Sequence, residues 1–218
     1  MDICGLIATR RNSKRVKNKA TRKFVSSNLS VIKINQALKI KSFKNIYFSS
    51  DISELNKYAE KKGLILIKRP KEYLGKSTIS EFAPFLIKYI KEEHICYLTN
   101  TSPLLKTSTV QKGIDIYKKI KSSRFDGLHT FEEVKDFLWN KQKPINYNVS
   151  SQPMSQNLTG IYKFIPALSI TSKKNISKFR NVLGKNPYKM IITKPESFDI
   201  DSIHDFRIAE LYYKEKKI

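Results

Sequence analysis

Apolar residues in the first half of the chain follow two alternating rules: short unbroken runs, then stretches in which they recur every three or four positions. Asp2-Ile3-Cys4-Gly5-Leu6-Ile7 has the length of a buried strand. Residues 28–41 place Leu29, Ile32, Ile34, Ala37, Leu38 and Ile40 at helical spacing, with a helix start expected near Ser26 or Ser27. Residues 44–49 read as a second strand that closes on Ser50-Asp51. Residues 53–62 put Leu55, Tyr58 and Ala59 on one helical face, with Gly63 as the stop. A third strand is expected over 64–67, a third helix over 81–93 with Pro84 in its first turn, a fourth strand over 95–98 and a fourth helix over 107–120. Strands alternating with helices, without an internal repeat, predict an α/β fold: a mostly parallel sheet with helices on both faces. Such sheets bind ligands at the carboxyl ends of their strands.

Residues 125–167 break this rhythm. Phe137-Leu138-Trp139-Asn140, Lys143-Pro144-Ile145-Asn146 and Ser155-Gln156-Asn157-Leu158 have a strand-and-turn character that predicts an excursion from the main sheet. Trp139 reads as a packing or interface anchor. A last helix is expected over 202–213, and strand alternation just before it would turn Asp199 and Asp201 to one side.

Length and composition narrow the picture. The chain has 218 residues, 40% of them hydrophobic, which suits one sizeable core. No apolar run reaches membrane-spanning length, and the N-terminus leads straight into a charged loop, so neither a membrane span nor a signal peptide is expected. Cys4 and Cys96 sit in apolar runs and read as buried, reduced thiols of a cytoplasmic protein. His94, His129 and His204 share no ligand spacing with each other or with the cysteines, which excludes a zinc motif. The formal net charge of +23 raises nucleic acid as a partner. Lysine supplies most of it and is spread along the whole chain, whereas groove readers concentrate arginine on one face. No specific nucleic-acid partner is expected.

The stretch after the first strand carries the candidate chemistry. Ala8-Thr9-Arg10-Arg11-Asn12-Ser13-Lys14-Arg15-Val16-Lys17-Asn18-Lys19-Ala20 sets six cations at a strand's carboxyl end, a receptacle suited to polyphosphate. On charge alone a solvated or localisation-type basic run fits as well. The order of residues resembles the first-strand fingerprint of the CMP-sugar synthetases (acylneuraminate cytidylyltransferases), Ala-Arg-Gly-Gly-Ser-Lys-Arg-x-x-x-Lys-Asn. Arg10, Ser13, Lys14, Arg15 and Lys19 stand in register, while Arg11 and Asn12 replace the glycines and Ala20 the asparagine. Further segments follow in family order. Ser49-Ser50-Asp51-Ile52-Ser53 resembles Ser-Thr-Asp-Ser, where capping by Asp51 or Ser53 is an equal account. Arg69-Pro70 with Ser77-Thr78-Ile79-Ser80 resembles Arg-Pro…Asp-Thr-x-Ser-Ser, with Lys76 in the aspartate's place. Leu98-Thr99-Asn100-Thr101-Ser102-Pro103-Leu104 resembles Leu-Gln-Pro-Thr-Ser-Pro-Leu, Thr99 standing where the family has glutamine. Ile161-Tyr162-Lys163-Phe164 resembles a returning strand, and Ser197-Phe198-Asp199-Ile200-Asp201 resembles Ser-Ile-Asp-Ile-Asp.

The resemblance implies a Rossmann-like nucleotidyltransferase, a single domain over 1–218 with a dimerisation and sugar-pocket excursion around 125–167, acting as a homodimer. It implies attack of an acidic sugar of the nonulosonic type on CTP, giving a CMP-sugar and pyrophosphate. Arg10 and Lys19 inherit the catalytic roles; Ala8, Thr9, Ser13, Lys14, Arg15, Arg69 and Ser80 the nucleotide; Thr99, Asn100, Thr101, Ser102 and Gln156 the sugar. Asp199 and Asp201 inherit a Mg²⁺ ion, with an N-cap at Asp201 beside a surface Asp199 as the competing account. A catalytically silent relative and a basic polyanion-binding protein are the alternatives.

Overall fold

The computed structural model describes residues 1–74, 79–120 and 123–215. Its centre is a seven-stranded sheet built from β1 (Ile3–Ala8), β4 (Ile46–Ser49), β5 (Ile65–Leu66), β6 (His94–Leu98), β7 (Gly127–Glu133), β8 (Tyr162–Ser172) and β9 (Pro187–Ile191), in the order β5-β4-β1-β6-β8-β7-β9. β8 alone runs against its neighbours. β2 (Lys23–Phe24) and β3 (Ser27–Asn28) form a separate small hairpin. The expected mostly parallel sheet is therefore present, with β1 and β6 side by side in its middle.

Helices cover both faces. α1 (Leu29–Leu38), α2 (Ser53–Lys61) and α4 (Thr107–Ile120) bury Ile34, Ala37, Leu55, Ala59, Val110 and Ile114 against one face. α3 (Ile79–Leu86) and α5 (Lys173–Phe179) bury Phe82, Ala83, Leu86 and Ile176 against the other. α6 (Ile203–Glu215) sits with the β2–β3 hairpin, where Phe206 and Ala209 meet Phe24, Leu29 and Val16. No helix among the described residues is long and apolar enough to cross a membrane.

Several local expectations change. α1 is capped by Asn28, whose Oδ1 accepts the Val31 N–H at 2.9 Å, and not by Ser26 or Ser27. α2 ends as expected, at Gly63 with φ +81°, a conformation glycine adopts without steric penalty. α3 spans Ile79–Leu86 instead of running on to residue 93, and Pro84 lies past its first turn. Lys76, Ser77 and Thr78 fall outside the described residues.

The interval expected to leave the sheet divides. Residues 127–133 and 162–167 belong to the central sheet as β7 and part of β8. What departs is the stretch between them, with one isolated bridge, Trp139 to Pro144, and two single-turn 3₁₀ segments. β8 absorbs Pro166 through a bulge: His129 faces Ser169, but Phe131 faces Phe164. Thr130 Oγ1 staples this bulge, donating to Ile165 O at 2.7 Å and accepting from the Leu168 N–H at 3.1 Å.

Candidate active site

The chain leaves β1 at Ala8 and forms its basic loop directly over the carboxyl end of the sheet. Val16, only 2% exposed, plugs the loop into the cluster of Phe24, Leu29, Ile200 and Phe206. Fixing this one apolar residue turns the polar residues around it toward a cavity of about 530 Å³. Ala8, Thr9, Arg10, Ser13, Lys14, Arg15 and Lys19 form one wall, and Thr99, Asn100 and Thr101, just beyond β6, form the other. Ten of the residues given site roles from the sequence thus gather around one space, together with Asn12, Ala20 and Tyr97, which were given none.

The loop is tied down from two sides. The Arg11 N–H donates to Asp51 Oδ1 at 2.7 Å, so Asp51 anchors the loop instead of capping α2, whose N-cap residue Ile52 makes no side-chain bond. The Arg11 side chain is not part of the cavity wall and pairs with Glu54 of α2 at 3.5 Å. From the far end of the chain, Ile200 O accepts a hydrogen bond from Lys19 Nζ at 2.6 Å.

Lys19 is largely enclosed, its side chain 13% exposed against 52% for Arg11 and 68% for Arg15. Burial lowers its pKa, while the carboxylates of Asp201, Asp199 and Asp205 act to keep it charged. Asp201 Oδ1 lies 4.0 Å from Lys19 Nζ and 2.7 Å from an Arg15 guanidinium nitrogen. Asp199 Oδ1 accepts the Ser102 hydroxyl at 3.2 Å. Residues 198–201 are not a strand, so the alternation expected there is absent; both carboxylates instead bear on the Lys19 ammonium without lining the cavity. The competing cap at Asp201 is also absent. Ser202 caps α6, its Oγ accepting the Asp205 N–H at 3.1 Å while the Asp205 carboxylate accepts the Ser202 N–H at 2.6 Å.

The remaining predicted residues lie elsewhere. Arg69 is behind the wall: its guanidinium donates to Tyr73 O at 3.0 and 3.1 Å and to Thr9 O at 3.3 Å, and stacks 3.9 Å above the Phe82 ring. Ser102 is fully buried beneath the cavity. Ser80 is exposed on α3, and Gln156 is exposed on the excursion; neither lines the cavity. Asn100 lines it but turns its amide inward, donating to Thr9 Oγ1 and Ser30 Oγ, each at 3.0 Å. Thr99 Oγ1 likewise donates to Pro166 O at 2.6 Å, joining the β6 end to the β8 bulge. Tyr97 was legible as the penultimate residue of a strand aimed at the site. Asp51 was placed by resemblance, but its partner lies 40 residues away.

Comparison with known proteins agrees with this geometry. A family model described as Cytidylyltransferase matches residues 4–218. Post-translational flagellin modification protein B of Campylobacter coli is 26% identical over 233 residues, covering 100% of this chain and 97% of that protein. N-acylneuraminate cytidylyltransferase of Escherichia coli O18:K1:H7 (strain RS218 / NMEC) is 22% identical over 226 residues, covering 98% of this chain but 52% of that longer protein. Among solved structures, a CMP:2-keto-3-deoxy-manno-octonic acid synthetase complexed with CTP superposes with a TM-score of 0.73 at 9% identity, covering 99% of this chain and 100% of that one. A cytidylyltransferase from Leptospira borgpetersenii gives 0.62 at 13% identity, covering 99% and 87%. With the family model spanning nearly every residue, the chain belongs to the cytidylyltransferase family of CTP-dependent nucleotidyltransferases.

Proposed function

We propose that the chain couples CTP to an acidic sugar of the nonulosonic type, releasing pyrophosphate. The observation that carries this reading is one cavity at the carboxyl ends of β1 and β6, with cationic residues on one wall and Thr99, Asn100 and Thr101 on the other. An anomeric hydroxyl oxygen attacks the α-phosphorus of CTP. The bond from that phosphorus to the β-phosphate's bridging oxygen breaks, pyrophosphate leaves with the electron pair, and the hydroxyl proton passes to solvent. Arg10, Lys14, Arg15 and Lys19 neutralise the charge that builds on the departing pyrophosphate. Thr101 and the wall that Thr99 and Asn100 form beside it take the sugar, with Ser102 supporting that wall from beneath. The acceptor class is supported by the names of the relatives, an N-acylneuraminate enzyme and a 2-keto-3-deoxy-manno-octonic acid synthetase.

Mg²⁺ suits this donor set. Among the described residues no three His, Cys, Asp or Glu side chains gather as a protein-only metal cage. Mg²⁺ is characteristically held by one or two carboxylates plus substrate phosphates, and Asp199 and Asp201 supply two that face the Lys19 ammonium. Bound there, the ion would add positive charge to the triphosphate oxygens. The excursion between β7 and β8 exposes Trp139, Ile145, Val149 and Met154, which supports a homodimer contact on that stretch.

The glycine substitutions leave the site's charge intact. Arg11 points outside, to Glu54, so this reading favours an active enzyme over a silent relative. Melting shifts with CTP, UTP, GTP and ATP, with and without Mg²⁺, test the nucleotide; pyrophosphate release with sialic, legionaminic, pseudaminic and ketodeoxyoctulosonic acids tests the acceptor. CTP is expected to bind at least tenfold more tightly than ATP or GTP, about 1.4 kcal/mol. Equal shifts with all four nucleotides, or no turnover of any acid, would overturn it.

A further inference from the structure

We propose that Lys33 is a positioning residue whose buried Nζ fastens the loop after β6 to α1 and so holds Thr99, Asn100, Thr101 and Ser102 in place at the cavity. Lys33 lies in the middle of α1, yet its side chain is fully buried. Nζ donates to Ser102 O at 2.9 Å and to Gln36 Oε1 at 2.7 Å. Among the described residues no carboxylate pairs with it.

An unpaired buried cation is a poor packing element, because a methionine of similar length would fill the same space without the desolvation penalty. Burial lowers the Lys33 pKa to about 7, which registers that penalty. What the lysine nitrogen offers, charged or neutral, and a methionine lacks is donors.

Its neighbours on α1 show what those donors serve. Ser30, Lys33 and Gln36 recur every three residues and so share one face of the helix. Ser30 Oγ accepts from Asn100, Lys33 donates to Ser102 O, and Gln36 Nε2 donates to Leu105 O. One helical stripe therefore grips the loop at three points. The loop in turn carries the segment behind Lys19: Thr101 O accepts the Ile200 N–H at 2.9 Å, and Ser102 Oγ donates to Asp199. Lys33 is the central clasp of a continuous path from α1 to the Lys19–Ile200 contact.

The experiment compares Lys33→Met with Ile114→Val, a core change on α4 away from the loop. Amide exchange is read at Leu105, which donates to Ser102 O, at Ile200, which donates to Thr101 O, and at Ile192 as a distant reference bonded to Phe131 O. In Lys33→Met the first two amides are expected to exchange at least tenfold faster relative to Ile192, and the Kd for CTP by titration calorimetry to rise at least fivefold. Ile114→Val should alter the three amides together and leave the CTP Kd within twofold. If Lys33→Met does not fold, Gln36→Leu, which frees Leu105 O and removes one acceptor of Lys33, should produce the same selective exchange. Uniform exchange with an unchanged CTP Kd in the folded variant would overturn the proposal. The CTP comparison rests on the function proposed above. If the wild-type chain binds no CTP, that function fails, while the exchange pattern alone still upholds or overturns the clasp.

Discussion

Replacing Lys19 by methionine separates its structural work from its chemical work. The ammonium is held 2.6 Å from Ile200 O and 4.0 Å from Asp201 Oδ1. Removing a charged donor from a largely enclosed carbonyl costs about 1.5–3 kcal/mol. For a chain of this size that is a melting-temperature drop of roughly 4–10 °C. The chemical loss is a separate quantity. A unit charge about 4 Å from a phosphate oxygen, at an effective dielectric of about 20, is worth about 4 kcal/mol. Only the part that grows as pyrophosphate departs affects turnover; half of it, about 2 kcal/mol, is a slowing of about thirtyfold. Pyrophosphate release at saturating CTP, measured well below the variant's melting temperature, reads this directly. Lys214→Ala, an exposed change near the end of α6, should leave the rate within twofold, because distant surface charges are screened beyond about 8 Å at physiological salt. A Lys19→Met variant that melts lower but turns over within threefold of wild type would make Lys19 a strut and refute the pyrophosphate role.

Three further outcomes follow from the same geometry. Asp201→Asn keeps the α6 cap, which belongs to Ser202 and Asp205, so its melting temperature should barely change while turnover falls roughly 10²-fold and half-saturation by Mg²⁺ rises; a stability loss without a rate loss would remove Asp201 from the chemistry. Asp51→Ala releases the Arg11 N–H and should weaken CTP binding about tenfold, with Asp51→Asn closer to wild type because its amide oxygen still accepts; calorimetry with all three proteins decides. Lys33 has a folded pKa of about 7 against an ordinary value of 10.5, so between these pH values the unfolded chain holds a proton that the folded one has lost. Stability contributed by this group therefore rises with pH from about 7 to 10.5, by on the order of 5 kcal/mol, and is absent below about 7. Urea unfolding across that range should show a slope in wild type that Lys33→Met flattens.

How far the sequence alone reached depends on where each signal resides. Alternation through residue 120 was legible because each strand's apolar run and each helix's spacing are local. Beyond it, β7 buries His129 and Thr130, polar residues that hide a strand, and β8 contains Pro166 at a bulge whose staple, Thr130, lies 35 residues earlier. α5 is seven residues long, too short to establish a helical period. Around α1 the binary pattern found Leu29, Ile34, Ala37 and Ile40 inside, but it missed that Ser30 and Lys33 are buried with them and that Leu38 is exposed. The cavity walls were legible because they lie next to strand ends. What holds the walls was not, since Asp51, Ser30, Lys33 and Gln36 act through contacts across long sequence separations.

The contact between Lys19 and Ile200 joins residues 181 positions apart, and Val25 N–H reaches Glu210 across 185. At synthesis rates of about 5–20 residues per second, the basic loop is made on the order of ten seconds or more before its closing partners exist. During that interval its arginines and lysines have neither Asp201 nor the α6 cluster to settle against. The basic loop thus gains its final supports only after every strand of the central sheet has been made. A ribosome-bound chain stopped before residue 199 should carry the sheet's parallel half and still lack a finished receptor for triphosphate. The proposed nucleotide site therefore cannot close around a triphosphate until the segment from Asp199 to Glu210 has been made.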